Sequence, residues 1–212
     1  MDNLKNEKWI VVVSIIFAAV ISIVFTVGIS LKVYADNVQN GIADKVVRLH
    51  ILADSDSQRD QQLKLMVRDE VQKVMQEKMK NSKSKAESIK ILEESKDEII
   101  SVAEKVLREN NNSCDVSFKI EKALFPVKKY NDFVFPSGYY DAVKIEIGSG
   151  KGHNWWCVMY PSLCLYEDDD ESRAKLENIL TPQEYSVVYG SEGVNIKFAV
   201  VEAVKEMEKY FS

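Results

Sequence analysis

Two histidines and three cysteines carry most of the chemistry open to this chain. Cys157 follows His153 by four residues in the run His153-Asn-Trp-Trp-Cys-Val-Met-Tyr-Pro-Ser-Leu-Cys164, and His50 is the other histidine. A Cys–His hydrolase needs a thiolate activated by a neighbouring base, with donors set for the oxyanion. As a strand, the run would place Trp155, Cys157 and Met159 on one side and Trp156, Val158 and Tyr160 on the other. His153 and Cys157 then share a side but stand about 13 Å apart, beyond hydrogen-bond reach. His50 would have to approach across a sheet. The exported Cys–His hydrolase is therefore the alternative reading. A metal centre from His50, His153 and the cysteines lacks the paired spacing of zinc ligands, and no metal or cofactor is expected.

Six residues separate Cys157 from Cys164. A hairpin or tight loop could bring them to disulfide distance, and in an exported domain that is the favoured state. Closing so small a loop stabilises by about 2.5 kcal/mol in the chain-entropy treatment. Cys114, on the apolar side of its own segment, reads as a core residue. Adjacent tryptophans on opposite faces of one strand require cover on both sides or a docking face on one. Asn154, Trp155 and Trp156 are thus candidate partner contacts. Arg48 and His50 share a strand face that leads to the Asp54-Ser-Asp56 turn, a second candidate patch at a strand's carboxyl end. The competing reading pairs Arg48 with a carboxylate and leaves the turn to cap a helix. The acidic run Glu167 to Glu171, with Asp168 to Asp170 at its centre, lacks the glycine and distal Glu of a calcium loop. It reads as a solvated entry to a helix N-terminus.

These residues need elements to hold them. Val46 to Leu52 is apolar on both faces, as a central strand would be. Capping boxes at Ser57/Asp60 and Ser84/Glu87 open two helices. The first has an apolar stripe through Leu63, Met66, Val67, Val71, Val74 and Met75; the second runs from Ile89 through Leu92 and Ile99 to Leu107. Alternation predicts strands from Cys114 to Glu121 and around Val143 to Ile147. Pro126 to Gly138 reads as an aromatic loop. Gly148 to Gly152 lacks phosphate-loop spacing and reads as a turn that sets the Trp-Trp strand at hairpin distance from its predecessor. Residues 195–211 close the chain as an amphipathic helix. The fold class is α/β (α+β): one mixed or mostly antiparallel sheet with helices packed on it, behind an N-terminal membrane or signal helix.

Trp9 to Leu31 runs 23 residues without a charge. A helix of that length spans roughly 35 Å, enough for a bilayer core. Val33-Tyr-Ala35 has the small residues of a signal-peptidase site, so 1–35 is a signal peptide or anchor. Residues 36–43 are then a tether and 44–212 the extracytoplasmic domain. Net charge is −5, and the four charges ahead of Trp9 cancel, so the domain itself is acidic. That argues against nucleic acid as a partner.

Two segments resemble the stage II sporulation protein R family. One is Val47-Arg-Leu-His-Ile-Leu-Ala-Asp-Ser-Asp-Ser57 with the helix start behind it. The other is Asn154-Trp-Trp-Cys-Val158 with Pro161 and Leu163-Cys164. Phe133-Val-Phe-Pro-Ser-Gly-Tyr139 is similar to the turn that connects them. The resemblance implies a sporulation signal exported from the forespore into the intermembrane space, which triggers a membrane-embedded aspartic protease of the mother cell. That protease processes the sigma factor E precursor. It implies a protein ligand and not an enzyme.

Overall fold

The computed structural model describes residues 2–130, 132–161, 163 and 169–189, with side chains described from Trp9 onward and, in the last stretch, from Arg173. The elements are α1 (Asp2–Ala43), β1 (Val47–Leu52), α2 (Gln58–Met79), α3 (Lys85–Glu94), α4 (Lys96–Glu109), β2 (Val116–Phe125), β3 (Lys128–Tyr130), β4 (Phe133–Phe135), β5 (Gly138–Ile147), β6 (Asn154–Tyr160), α5 (Asp169–Ile179) and α6 (Pro182–Val188). The chain forms two compact units, one of them Gln39–Gly190 and the other including Met1–Val38.

The N-terminal unit is helical. From Trp9 to Leu31 its side chains carry no charge and are exposed, and the helix is long and apolar enough to cross a membrane. Its hydroxyls turn back on the backbone: Thr26 Oγ1 donates to Ser22 O at 2.8 Å and Ser30 Oγ to Thr26 O at 2.9 Å. Every polar group met in lipid needs such an internal partner. The segment is compatible with a signal peptide or a membrane anchor. Residues 36–43, expected as a tether, instead continue α1 to Ala43. No proline interrupts them, and Ile42 is fully buried. Gly41 is tolerated in this helix because a Cβ there would meet the Glu184 carboxylate.

The Gln39–Gly190 unit is a four-stranded mixed sheet ordered β2-β5-β1-β6, with helices on one face and a β3-β4 hairpin as a second, small sheet. β1 runs parallel to β5 and antiparallel to β6; β2 is antiparallel to β5. This is the α+β class expected, with the doubly apolar β1 in the interior. The expected β5–β6 hairpin does not form, because β1 lies between those strands. The connection must cross two strand spacings, roughly 10 Å, which a tight turn cannot do.

Val47, Leu49 and Ile51 of β1 pack with Val143, Ile145 and Cys157 under Leu63, Val67, Val71 and Met75 of α2 and Ile99, Ala103 and Leu107 of α4. The caps form as the sequence dictates: Ser57 accepts from Asp60 N and Ser84 from Glu87 N. The single helix expected from Ser84 to Leu107 is two, broken at Ser95. Ser95 is buried on the apolar stripe between Leu92 and Ile99, where a small hydroxyl provides little packing and its backbone N–H closes α3 on Ile91 O. A β-bulge between Val47 and Arg48 shifts the β6 register. Tyr160 therefore lies opposite Val47 and packs on the helix-side core, instead of joining Trp156 and Val158 as alternation predicts.

The loop from Gly148 to His153 crosses the end of β1 and is tied to the turn that follows it. Ser149 N donates to Asp54 Oδ1 at 2.6 Å, Gly152 N to Ala53 O at 2.9 Å and His153 N to Asp56 Oδ1 at 2.6 Å. Buried Lys64 on α2 donates to His153 O at 2.8 Å. The acidic run enters α5 at Asp169, as a helix N-terminus favours. Cys164, Asp168 and the helix expected over 195–211 lie outside the described residues. A Cβ on Gly152 would meet the Ser55 carbonyl oxygen and stand 2.9 Å from the Ala53 Cβ. Gly152→Ala should destabilise the full chain by about 2 kcal/mol, read from the midpoint of urea unfolding.

Candidate functional site

The sheet face away from α2 and α4 gathers part of what the sequence singled out. The register sets Arg48 beside Ala142 and Val158, and His50 beside Lys144 and Trp156. Arg48 is completely buried, against the reading that pairs it with a carboxylate. Its guanidinium is instead enclosed by rings, with Cζ 4.4 Å from the centroid of Phe125, 5.0 Å from Tyr140, 5.2 Å from Phe135 and 5.7 Å from Tyr130. Nε donates to Cys157 O at 3.0 Å and Nη2 to Tyr130 Oη at 2.9 Å, while Nη1 has no partner among the described residues. Burial pulls Arg48 below its ordinary pKa, and the oxygens of Tyr130 and Tyr140 oppose that pull. Ring faces supply the negative potential that a carboxylate would otherwise provide; a desolvated cation over a ring gains about 2 kcal/mol. Arg48 thus fastens the β3-β4 hairpin, through Tyr130, to the backbone of β6.

This hairpin occupies the segment expected to be an aromatic loop. The density of Phe and Tyr between 125 and 140 was the available signal, because that many rings need a covered surface. Tyr140 Oη donates to Pro136 O at 2.7 Å, and burial pushes its pKa up to about 12.

His50 continues the ring stack. Its imidazole lies 5.2 Å from the Trp156 ring at 12°, and Phe125 meets Trp156 edge-on at 4.7 Å. Among the described residues neither ring nitrogen of His50 meets a partner in good hydrogen-bond geometry, nor does Asn154 Oδ1 beside it. Burial first, then the charge of Lys144, lowers the His50 pKa to about 4; Asn154 and Glu146 oppose this, and Arg48 adds a smaller lowering. Trp156 is half-buried with Lys128 Nζ 5.8 Å from its ring; Trp155, on the opposite face, is half-buried under Arg68 at 5.2 Å. Each tryptophan therefore already carries a cation.

Arg48, His50, Asn154 and Trp156 come together, whereas the other candidates lie elsewhere. Asp54 and Asp56 hold the 148–153 loop, and the same hydrogen bonds from Ser149 and His153 lower their pKa values. Cys157 opposes Leu49 and faces the helices, on the other side of the sheet from His50. Its sulfur is in a disulfide, while Cys114 is free. His153 pairs its Nδ1 with Asp56 Oδ1. A thiolate–imidazole pair cannot form between residues so placed. Among the described residues no group of three or more His, Cys, Asp or Glu could hold a metal ion.

The described residues thus set out an apolar leading helix and an α+β domain whose sheet buries a cationic aromatic cluster. Residues 43–170, which hold both motif segments, match the family model described as Stage II sporulation protein R. The chain belongs to this family of sporulation signalling proteins. It is 32% identical over 185 residues to the Stage II sporulation protein R of Bacillus subtilis (strain 168), covering 78% of this chain and 83% of that relative. No solved structure matches the chain.

Two outcomes follow from the cage. Tyr130→Phe leaves Nη2 of Arg48 buried without an acceptor and should cost about 2 kcal/mol in urea unfolding. His50 protonates near 6.5 when unfolded and near 4 when folded, so the unfolded chain takes up the proton first. Stability should therefore fall by about 3 kcal/mol as pH drops from 6.5 to 4, and level off below. His50→Phe should remove this component of the pH profile.

Proposed function

We propose that the chain is exported from the forespore and acts outside as a protein ligand. Its partner is a membrane-embedded aspartic protease of the mother cell, which then processes the sigma factor E precursor. The observation that carries this reading is the family match across both motif segments, behind a helix apolar enough to serve as an export signal or anchor. The separation of Cys157 from His50 by the thickness of the sheet favours a ligand over the Cys–His hydrolase. Trp155 and Trp156 remain candidate contacts, because half-buried tryptophans give large interface area at small entropic cost. Arg48 and His50, being buried, would act on a partner only by holding the rings above them. The same reading pairs Cys157 with Cys164 as a staple suited to an oxidising compartment.

Sporulating cells that lack the chain should accumulate unprocessed precursor on immunoblots. The intact chain should restore processing, and a version missing residues 2–35, retained in the forespore cytoplasm, should not. Restoration by the retained version would sink the proposal. The peptide that spans Cys157 and Cys164 should gain two hydrogens on reduction, measured by mass spectrometry of exported protein. Cys157→Ser should then cost about 2.5 kcal/mol of stability.

A further inference from the structure

At the end of β6 remote from the tryptophans, a groove opens between the α2–α3 connection and α5. It has two lobes, of about 530 Å³ and 260 Å³, which share Lys83, Tyr160 and Ile179. The floor is apolar: Tyr160 and Ile179 run through both lobes, with Ile89 in one and Pro161 in the other. Tyr160 reaches this position because the β6 bulge turns it to the helix side.

The rim is basic. Lys45, Lys83 and Lys85 line the first lobe, and Lys80, Lys83 and Lys175 the second, against Asp44 as the carboxylate of the lining. This is a local inversion in a chain of net charge −5. Lys45 pairs with Glu184 and Lys85 with Asp141. Lys80 and Lys83 are exposed and have no ion pair among the described residues. The N-terminus of α3, capped by Ser84, adds its positive dipole end at the same place.

We infer that this groove seats an acidic segment of a partner protein bearing an aliphatic or aromatic side chain. Its carboxylates meet Lys80 and Lys83, and its apolar group covers Tyr160 and Ile179. A lipid surface touches rims and does not fill a concave apolar floor. A phosphate site would favour the planar fork of arginine, which the lining does not offer. Under the function proposed above, the segment belongs to the receptor protease, and the groove extends the contact surface to the second end of β6.

The probe is a fluorescein-labelled peptide of alternating Asp and Leu, with a Lys–Leu peptide as control and the full chain in detergent micelles as target. Anisotropy should show saturable binding of the acidic peptide alone, weakened by salt. The variant K80E/K83E, with an unchanged circular dichroism spectrum, should bind about tenfold more weakly. Equal binding of both peptides, indifference to K80E/K83E, or displacement by millimolar inorganic phosphate would each overturn the groove as a peptide site. In sporulating cells K80E/K83E should reduce precursor processing. Normal processing with that variant would overturn the groove as the receptor's site yet leave the ligand reading intact. Normal processing without the chain altogether would remove the ligand reading and leave the peptide-binding result standing.

Discussion

The structure depends on one constraint: β1 is apolar on both faces, and neither face can be left to water. Interior placement between β5 and β6 follows, and with it the split of those strands by a loop too long for a hairpin. Helices α2 and α4 cover one face. The other must be covered by something else, and the chain answers with a three-residue-per-strand hairpin faced with rings. Much of what distinguishes this domain from a plain two-layer α+β fold traces to the need for that second cover.

Arg48 sits where such a cover is hardest to build. A guanidinium in the middle of a sheet, without a counter-ion among the described residues, has a desolvation cost of several kcal/mol before any compensation. Four ring faces and two neutral acceptors offset part of it. The arrangement is directional in a way that a leucine would not be. Nε fixes the backbone of β6, Nη2 fixes the hairpin, and the rings fix the plane of the group between them. A cation thereby sets where two separate sheets meet, and the cost in stability is balanced by a defined geometry.

Periodicity made the helix-side core legible: the stripe from Leu63 to Met75 and the alternation in β2 and β5 state which residues turn inward, except that Met66, expected inward, is exposed. The caps at Ser57 and Ser84 were equally legible, since they need only local chemistry. Strand order was not, because adjacency in sequence favours β5–β6 pairing and only the loop length argues otherwise. The cage escaped for a related reason. Arginine on a strand suggests a carboxylate partner, and rings scattered between Phe125 and Tyr140 converge on it only once β2, the hairpin and β5 are in place. Local features misled where a rare event intervened: the break at Ser95 and the bulge that turned Tyr160 each hinge on a single residue. For the site, the grouping of Arg48, His50 and Trp156 was half visible as shared strand parity. The engagement of Asp54 and Asp56 by backbone amides of a loop nearly a hundred residues away was not.

The position of Ala35 within α1 has a consequence for how a leader would be removed. Ala35 lies inside α1, with its backbone hydrogen bonds in the helical ladder. A peptidase that reads its substrate as an extended strand has to wait for local unwinding there. The chain beyond Ala35 is held by Ile42 in the core and by the Gln39 amide on Tyr139 O, so fraying would have to begin ahead of Ala35. Once cut, the stub would remain docked as the first element of the mature domain. The timing of any such cut would thus be a property of helix stability in two turns of chain.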